Sequence, residues 1–255
     1  MSGTTGEDPR GPAEAIRLSA IRRRIGRHMT ASKAAAAHTL MAVEVDYSGV
    51  DAARSHALGA GRKLSYLPFV AHALAATVRT FPCLNASVEE RELRVYSRFN
   101  LGIAVDLDIE GLIDPVVMDC GDLDVLQIAS TVEDLSSRAR SRKLDVNEVA
   151  GGTFTITNAG GHGTFFTGAI INHPQVAILS TDGVQPKPVA VPREGGGWDV
   201  AVRPIGVLAM TWDHRAFDGA YTAASLKDLK ARIESHDWIA EVSAATGVDR
   251  AAKGA

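Results

Sequence analysis

The side chains best suited to moving a proton stand together in the stretch Asp213-His-Arg-Ala-Phe-Asp-Gly219. An imidazole takes up a proton near neutral pH more readily than any other side chain, so His214 is a candidate general base. Asp218 follows four residues later, beside Gly219, whose backbone can adopt conformations closed to other residues. Residues 205–210 form an apolar run that reads as a buried strand. Beyond the motif, Leu226, Leu229 and Ile233 share one face of a helix predicted to run to about Glu234. His214 therefore stands where a strand ends and the chain turns, a place that can hold an imidazole at the mouth of a cleft. A His and an Asp at this spacing can equally be a surface or capping pair, and the motif alone leaves that open.

The elements around it bound the function. The chain has 255 residues, 45% hydrophobic and 22% charged, enough for one large domain or two small ones with a real core. A net charge of −3 gives no global field to attract nucleic acid. Cys83 and Cys120 lie in or beside apolar segments without metal-ligand spacing, so they read as buried free thiols and no metal site is expected. No apolar run reaches the length of a membrane span, and the N-terminus lacks a signal-peptide core. A cytoplasmic protein is expected.

Residues 1–16 are polar and rich in Gly and Pro, and are expected to be a disordered lead. Ser19 reads as an N-cap. The helix it opens carries Ile21, Ile25 and Met29 at helical spacing, with Arg22, Arg23, Arg24 and Arg27 on its other faces, and is expected to reach Ala37. Residues 39–47 alternate as a strand with one buried face. Helices are expected at 49–58, at 64–78 (apolar nearly all round, hence central) and at 124–141. Strands are expected at 92–96, 100–105, 151–158 and 176–180, 111–118 reads as a further extended, buried segment, and 159–163 as a flexible Gly-rich loop. Residues 186–191 and 198–204 read as a hairpin leading into the His214 strand. The chain after Trp238 reads as a polar, Ala-rich tail. Strands alternating with helices, without repeats, argue for one α/β domain, an α+β sandwich.

Several stretches together resemble the catalytic domain of dihydrolipoamide acyltransferases, the E2 cores of 2-oxoacid dehydrogenase complexes, with chloramphenicol acetyltransferase as a cousin of the same fold. They are Ile21-Arg-Arg-Arg-Ile-Gly-Arg-His-Met29, Lys63-Leu-Ser-Tyr-Leu-Pro-Phe69, Phe81-Pro-Cys-Leu-Asn-Ala-Ser-Val88, Asn100-Leu-Gly-Ile-Ala-Val-Asp106, Gly111-Leu-Ile-Asp-Pro-Val-Val117, Gly151-Gly-Thr-Phe-Thr-Ile-Thr-Asn158, Ile171-Asn-His-Pro-Gln175 and the His214 motif. The resemblance covers roughly residues 17–238 and implies a mixed sheet flanked by helices. It also implies a homotrimer with active sites between subunits, where acetyl-CoA enters from one side and the acyl acceptor from the other. By the same resemblance His214 is the general base, Asp218 mainly holds the turn, and the Thr157 hydroxyl stabilises the tetrahedral oxyanion. Asp106, Asn158 and Arg138 match positions lining the CoA side, although the Arg-rich stretch aligns in more than one register. His162 and His173 match no catalytic position.

The chain departs from that family in three ways. It reaches the core within about 17 residues of Met1, with no lipoyl context, so no covalent lipoyl group is expected. Asp114 stands where the resemblance implies an uncharged residue, and burying it costs free energy unless it is paired. The tail at 239–255 is polar, so a free trimer is expected. These features favour a stand-alone O-acetyltransferase acting on a small-molecule hydroxyl, in the manner of E2-like proteins of tetronate polyketide (natural product) biosynthesis. The alternatives are an E2 core whose lipoyl domains lie elsewhere and a non-catalytic trimeric scaffold.

Overall fold

The computed structural model describes residues 13–107 and 111–246. Of the expected lead, residues 1–12 lie outside them, and residues 13–16 are exposed without regular structure. Of the expected tail, residues 247–255 also lie outside.

In chain order the elements are α1 (Ala20–Ala35), β1 (His38–Asp46), α2 (Ser48–Gly59), α3 (Leu67–Thr80), β2 (Ala86–Glu89), β3 (Glu92–Val95), β4 (Leu101–Ile103), β5 (Val105–Asp106), β6 (Leu112–Ile113) and β7 (Val116–Val117). There follow α4 (Val125–Arg140), β8 (Phe154–Asn158), β9 (Ala177–Thr181), β10 (Gln185–Pro192), β11 (Trp198–Asp213), α5 (Gly219–Ser235) and α6 (Trp238–Thr246). The main sheet has seven strands in the order β1-β11-β9-β8-β4-β7, with β10 also on β11. Strand β8 runs parallel to β4 and β9, and the remaining pairs are antiparallel, so the sheet is mixed.

The pleat sorts residues onto two faces. Phe154, Ile156, Leu179, Leu208, Met210 and Trp212 point into the main core, with Phe69 and Leu74 of α3 and Leu226 and Leu229 of α5. Thr155 and Thr157 point the other way. Register pairs Thr155 with Ile178 and Ile178 with Thr211, and Ile178 belongs to a separate small cluster with Ala36 and Ile171. Helix α1 serves this second face. Its Ser32 hydroxyl donates to Ile171 O at 2.6 Å, and Ile21 and Ile25 close on Gly111 so tightly that a Cβ there would meet Ile21 at 2.8 Å.

Most expected elements are present. Ser19 caps α1 through Arg22 N, and Asp124 opens α4 with a full capping box. Four differences have physical reasons. Helix α1 stops at Ala35, where Ala36 turns extended to join the second-face cluster. Residues 198–213 form one unbroken strand, because Pro204 lacks only an N–H and its carbonyl is still used by Tyr47 N at 2.8 Å. The Gly-rich loop contains a 3-10 turn at Gly160–His162, held where Gly160 abuts the Asp182 backbone so closely that a Cβ would come within 2.8 Å of Asp182 O. The chain after Trp238 is not a polar tail from its start. It forms α6, with Trp238 and Val242 in the main core.

Candidate active site

The turn carrying His214 is fixed from several sides. Asp213, the last residue of β11, is only 2% exposed. Its carboxylate accepts the N–H groups of Ala37 at 3.1 Å and Arg215 at 3.0 Å, and is clasped by the Arg215 guanidinium at 2.6–3.0 Å. Burial alone would raise its pKa, but the bonds from Arg215 and the two backbone donors outweigh this and hold it below the usual carboxylate value. The His214 N–H donates to Ala37 O at 2.9 Å, so the turn is stapled to the α1–β1 junction on both sides. Trp212 stacks on Phe217, with ring centroids 6.5 Å apart, and its indole N–H donates to Phe217 O at 3.0 Å. Asp218 is the N-cap of α5, accepting from Tyr221 N at 3.1 Å. With its backbone held in this way, the His214 side chain stands exposed on the surface of the single chain.

Thr157 does not meet His214 within that chain. Trp212 lies opposite Ala177, and Ser180 opposite Thr157. His214 is thus displaced two strands sideways and about five residues lengthwise from Thr157, or roughly 19 Å at the usual strand spacings. No side-chain rotation closes such a gap.

Asn158 and Asp106, by contrast, come together. Both line a pocket of about 340 Å³ with Leu67, Ala104, Gly161 and His162. Asn158 faces the opposite side of β8 from Thr157, as strand alternation requires. Arg138 is absent from this lining. Its guanidinium is engaged by Glu148 at 2.6 Å and Asp134 at 2.7 Å, and the basic side chain that reaches the pocket is Arg140. Two residues along a helix point about 200° apart, so α4 can offer only one of these arginines to the pocket. The pocket adjoins a second, of about 620 Å³, sharing Val132 and Ser136 with it and lined by Arg54, Arg62 and Lys63. Such a basic rim suits phosphate groups. His173 lies elsewhere, in a small pocket with Asp114 and Asn172. Among the described residues no three His, Cys, Asp or Glu are grouped to hold a metal.

Sequence spacing missed Asp213, Arg215 and Asp182. Asp182 accepts from the hydroxyls of Thr164, Thr167 and Ser180 and from Thr167 N, and so ties down the loop after Gly163. An Asp closing a buried strand was the available signal for Asp213.

Residues 10–240 match the family described as 2-oxoacid dehydrogenases acyltransferase (catalytic domain). The chain belongs to that family. It is an acyltransferase catalytic domain. It is 36% identical over 228 residues to the dihydrolipoyllysine-residue acetyltransferase component of the pyruvate dehydrogenase complex of Mycobacterium bovis, covering 85% of this chain and 41% of the relative. For the Bacillus subtilis counterpart the figures are 35% over 225 residues, 86% and 50%. The chain thus spans half or less of the length of these relatives. Dihydrolipoamide acetyltransferase of Azotobacter vinelandii superposes with a TM-score of 0.80 at 29% identity, over 88% of this chain and 93% of that one. A catalytic core of the 2-oxoacid dehydrogenase complex of Thermoplasma acidophilum gives 0.78 at 32%, over 88% and 99%. Chloramphenicol acetyltransferase, at 0.52 and 13% identity over 87% and 99%, shares the fold alone. The acyltransferase domain therefore has the chloramphenicol acetyltransferase-like α/β fold, its mixed sheet flanked by helices.

Proposed function

We propose that this acyltransferase domain moves an acetyl group from acetyl-CoA to a thiol in the manner of a dihydrolipoamide acyltransferase core, with each active site formed between two copies of a homotrimer. The observation that carries this reading is the strand register. It holds His214 and Thr157 roughly 19 Å apart in one chain, so both can serve one substrate only if they come from different copies. The exposed His214 ring supports it, as does the ribbon of β10 and β11, whose Ala190, Trp198, Val200 and Val202 line one exposed face.

In this reading His214 takes the proton of the acceptor thiol. The resulting sulfur attacks the thioester carbonyl, and the Thr157 hydroxyl from a neighbouring copy donates to the developing oxyanion. The intermediate expels the CoA thiolate, which regains the proton from His214. Acetyl-CoA lies along the pocket of Asp106 and Asn158, with Arg140 and the rim of Arg54, Arg62 and Lys63 nearest its phosphates. Asp218 acts as a helix cap that holds the turn.

The second reading is the O-acetyltransferase of a hydroxylated small molecule. The relatives, named for dihydrolipoyl chemistry, support it less than the first. One observation favours it, a carboxylate at Asp114 on the Thr157 face of the sheet.

Mixing two dead variants tests the shared site. His214→Ala and Thr157→Ala should each lower kcat by about two to four orders of magnitude with acetyl-CoA and dihydrolipoamide. Co-assembled in equal amounts, they should regain roughly a quarter of wild-type activity, because a Thr157→Ala chain supplies an intact His214 to a His214→Ala neighbour. If the mixture is as inactive as its parts, both groups belong to one chain and the reading fails.

A further inference from the structure

The α1–β1 junction that staples the His214 turn is itself held by a second imidazole. Ala37 gives its N–H to the Asp213 carboxylate at 3.1 Å, and its carbonyl accepts the His214 N–H at 2.9 Å. On one side of this residue, His38 Nδ1 lies 3.1 Å from Ala36 O. On the far edge of the same ring, Nε2 lies 3.1 Å from Ile171 N. These two partners fix the tautomer. A carbonyl oxygen only accepts, so Nδ1 carries the proton and donates it. A backbone N–H only donates, so Nε2 accepts with its lone pair. Ile171 is fully buried in one cluster with Ala36 and Ile178, and its carbonyl accepts the Ser32 hydroxyl at 2.6 Å. The end of α1 and the start of β1 are thus both tied to Ile171, and the neutral His38 ring makes the second tie.

A second proton on that ring undoes the tie. Nε2 would then carry a hydrogen aimed at the Ile171 N–H, two donors with no acceptor between them. His38 is half-buried, so protons from solvent reach it. The charged groups around it do not replace the lost bond. Asp213, opposite His38 on β11, is already occupied by Arg215 and two backbone N–H groups. Asn172, beside Ile171, accepts from His28 Nε2 at 2.8 Å and donates to Asp114 Oδ2 at 3.2 Å. Lys33 in the last turn of α1 and His173 after Asn172 supply no anion. We propose that His38 is a positioning residue that keeps His214 productive only while its own ring is neutral, so that acid stops acetyl transfer at two imidazoles. This inference rests on the acyltransferase reading above, with His214 as base, and adds a control on that base. A displacement of about 1 Å at a reacting group costs on the order of a hundredfold in rate, so a loosened junction is enough.

Two variants and a pH series test this, with acetyl-CoA and dihydrolipoamide at saturation and thermal melting run at each pH to restrict the comparison to folded protein. In wild type, log kcat should fall on the acid side with a slope approaching about two per pH unit, one for each imidazole. His38→Gln offers an amide oxygen to the Ile171 N–H and takes up no proton in this range. It should keep kcat within about threefold of wild type near pH 8, and its acid slope should level at about one, the part left by His214. His38→Ala lacks both bonds and should lower kcat on the order of a hundredfold. Its KM for acetyl-CoA should stay within about twofold, because none of the junction residues lines the acetyl-CoA pocket. A wild-type slope of one overturns the proposal, as does a slope in His38→Gln equal to that of wild type. So does a kcat of His38→Gln as low as that of His38→Ala, or a His38→Ala enzyme as fast as wild type. If His38→Ala does not fold, the wild-type and His38→Gln slopes decide. Each of these results leaves the acyltransferase reading standing. Wild type that acetylates no dihydrolipoamide at any pH overturns that reading and the proposal together.

Discussion

His214 is held by its backbone and by its neighbours, and its exposed ring lies tilted against Trp212, with centroids 5.9 Å apart. The carboxylate beside it in sequence, Asp213, is the one that orders the turn, and Asp218 closes the helix that follows. The turn position of His214 and the strand-end position of Thr157 were legible in the sequence, because such positions follow from apolar runs. Which arginine of α4 lines the pocket of Asp106 and Asn158 was not legible, because Arg138 and Arg140 differ only in their angle around α4, and the acidic partners that capture Arg138 lie one turn earlier and beyond the helix end. Kinetics separates them. Arg140→Ala should raise KM for acetyl-CoA about tenfold, as loss of one charge-assisted contact would. Arg138→Ala should leave that KM unchanged and lower the melting temperature. The pair also gives a pH signature. Its hydrogen bonds to Arg138 hold the Glu148 carboxyl down from about 4.5 to about 2. A depressed carboxylate adds stability that is full above its unfolded value and is lost as pH falls through the folded one. Glu148→Gln should therefore melt below wild type at neutral pH, and the gap should close between about pH 4.5 and pH 2.

At the scale of elements, local pattern was sufficient where one face of an element is buried and the other is not. Strand β1 alternates from Met41 to Val45, α4 shows its capping box, and α5 presents Leu226, Leu229 and Ile233 inward. Pattern failed where long-range packing decides. The Ala-rich stretch after Trp238 looks like a tail until its partners are known. In the fold, Trp238 packs edge-on against Phe69 at 5.3 Å and donates its indole N–H to Ile233 O at 2.8 Å. Trp238→Ala should cost about 3–5 kcal/mol in urea unfolding, as for other large buried aromatics. A cost near zero would return α6 to the status of a tail. Likewise β11 looks like two strands in sequence because Pro204 interrupts the apolar pattern. Its length is set by pairing with β1 and β9 on one side of that residue and with β10 on the other.

For the whole molecule, the sequence held the fold class through its alternation of strands and helices, but not the distance between His214 and Thr157. That distance depends on strand order and direction, which no local pattern encodes. The β10–β11 ribbon carries apolar side chains that the single chain leaves exposed. Val202, 71% exposed, sits on it. Val202→Glu should shift the sedimenting species from about three times 27.0 kDa toward one, and acetyl transfer should fall with it. A trimer that survives the change would move the contact to another face.

A reaction whose base and oxyanion donor ride on separate polypeptides obeys mass action before it obeys Michaelis and Menten. Below the dissociation constant of the assembly, specific activity should decline as the stock is diluted, with a lag on reconcentration while chains find one another again. Rates compared between variants then carry meaning only at matched protein concentration.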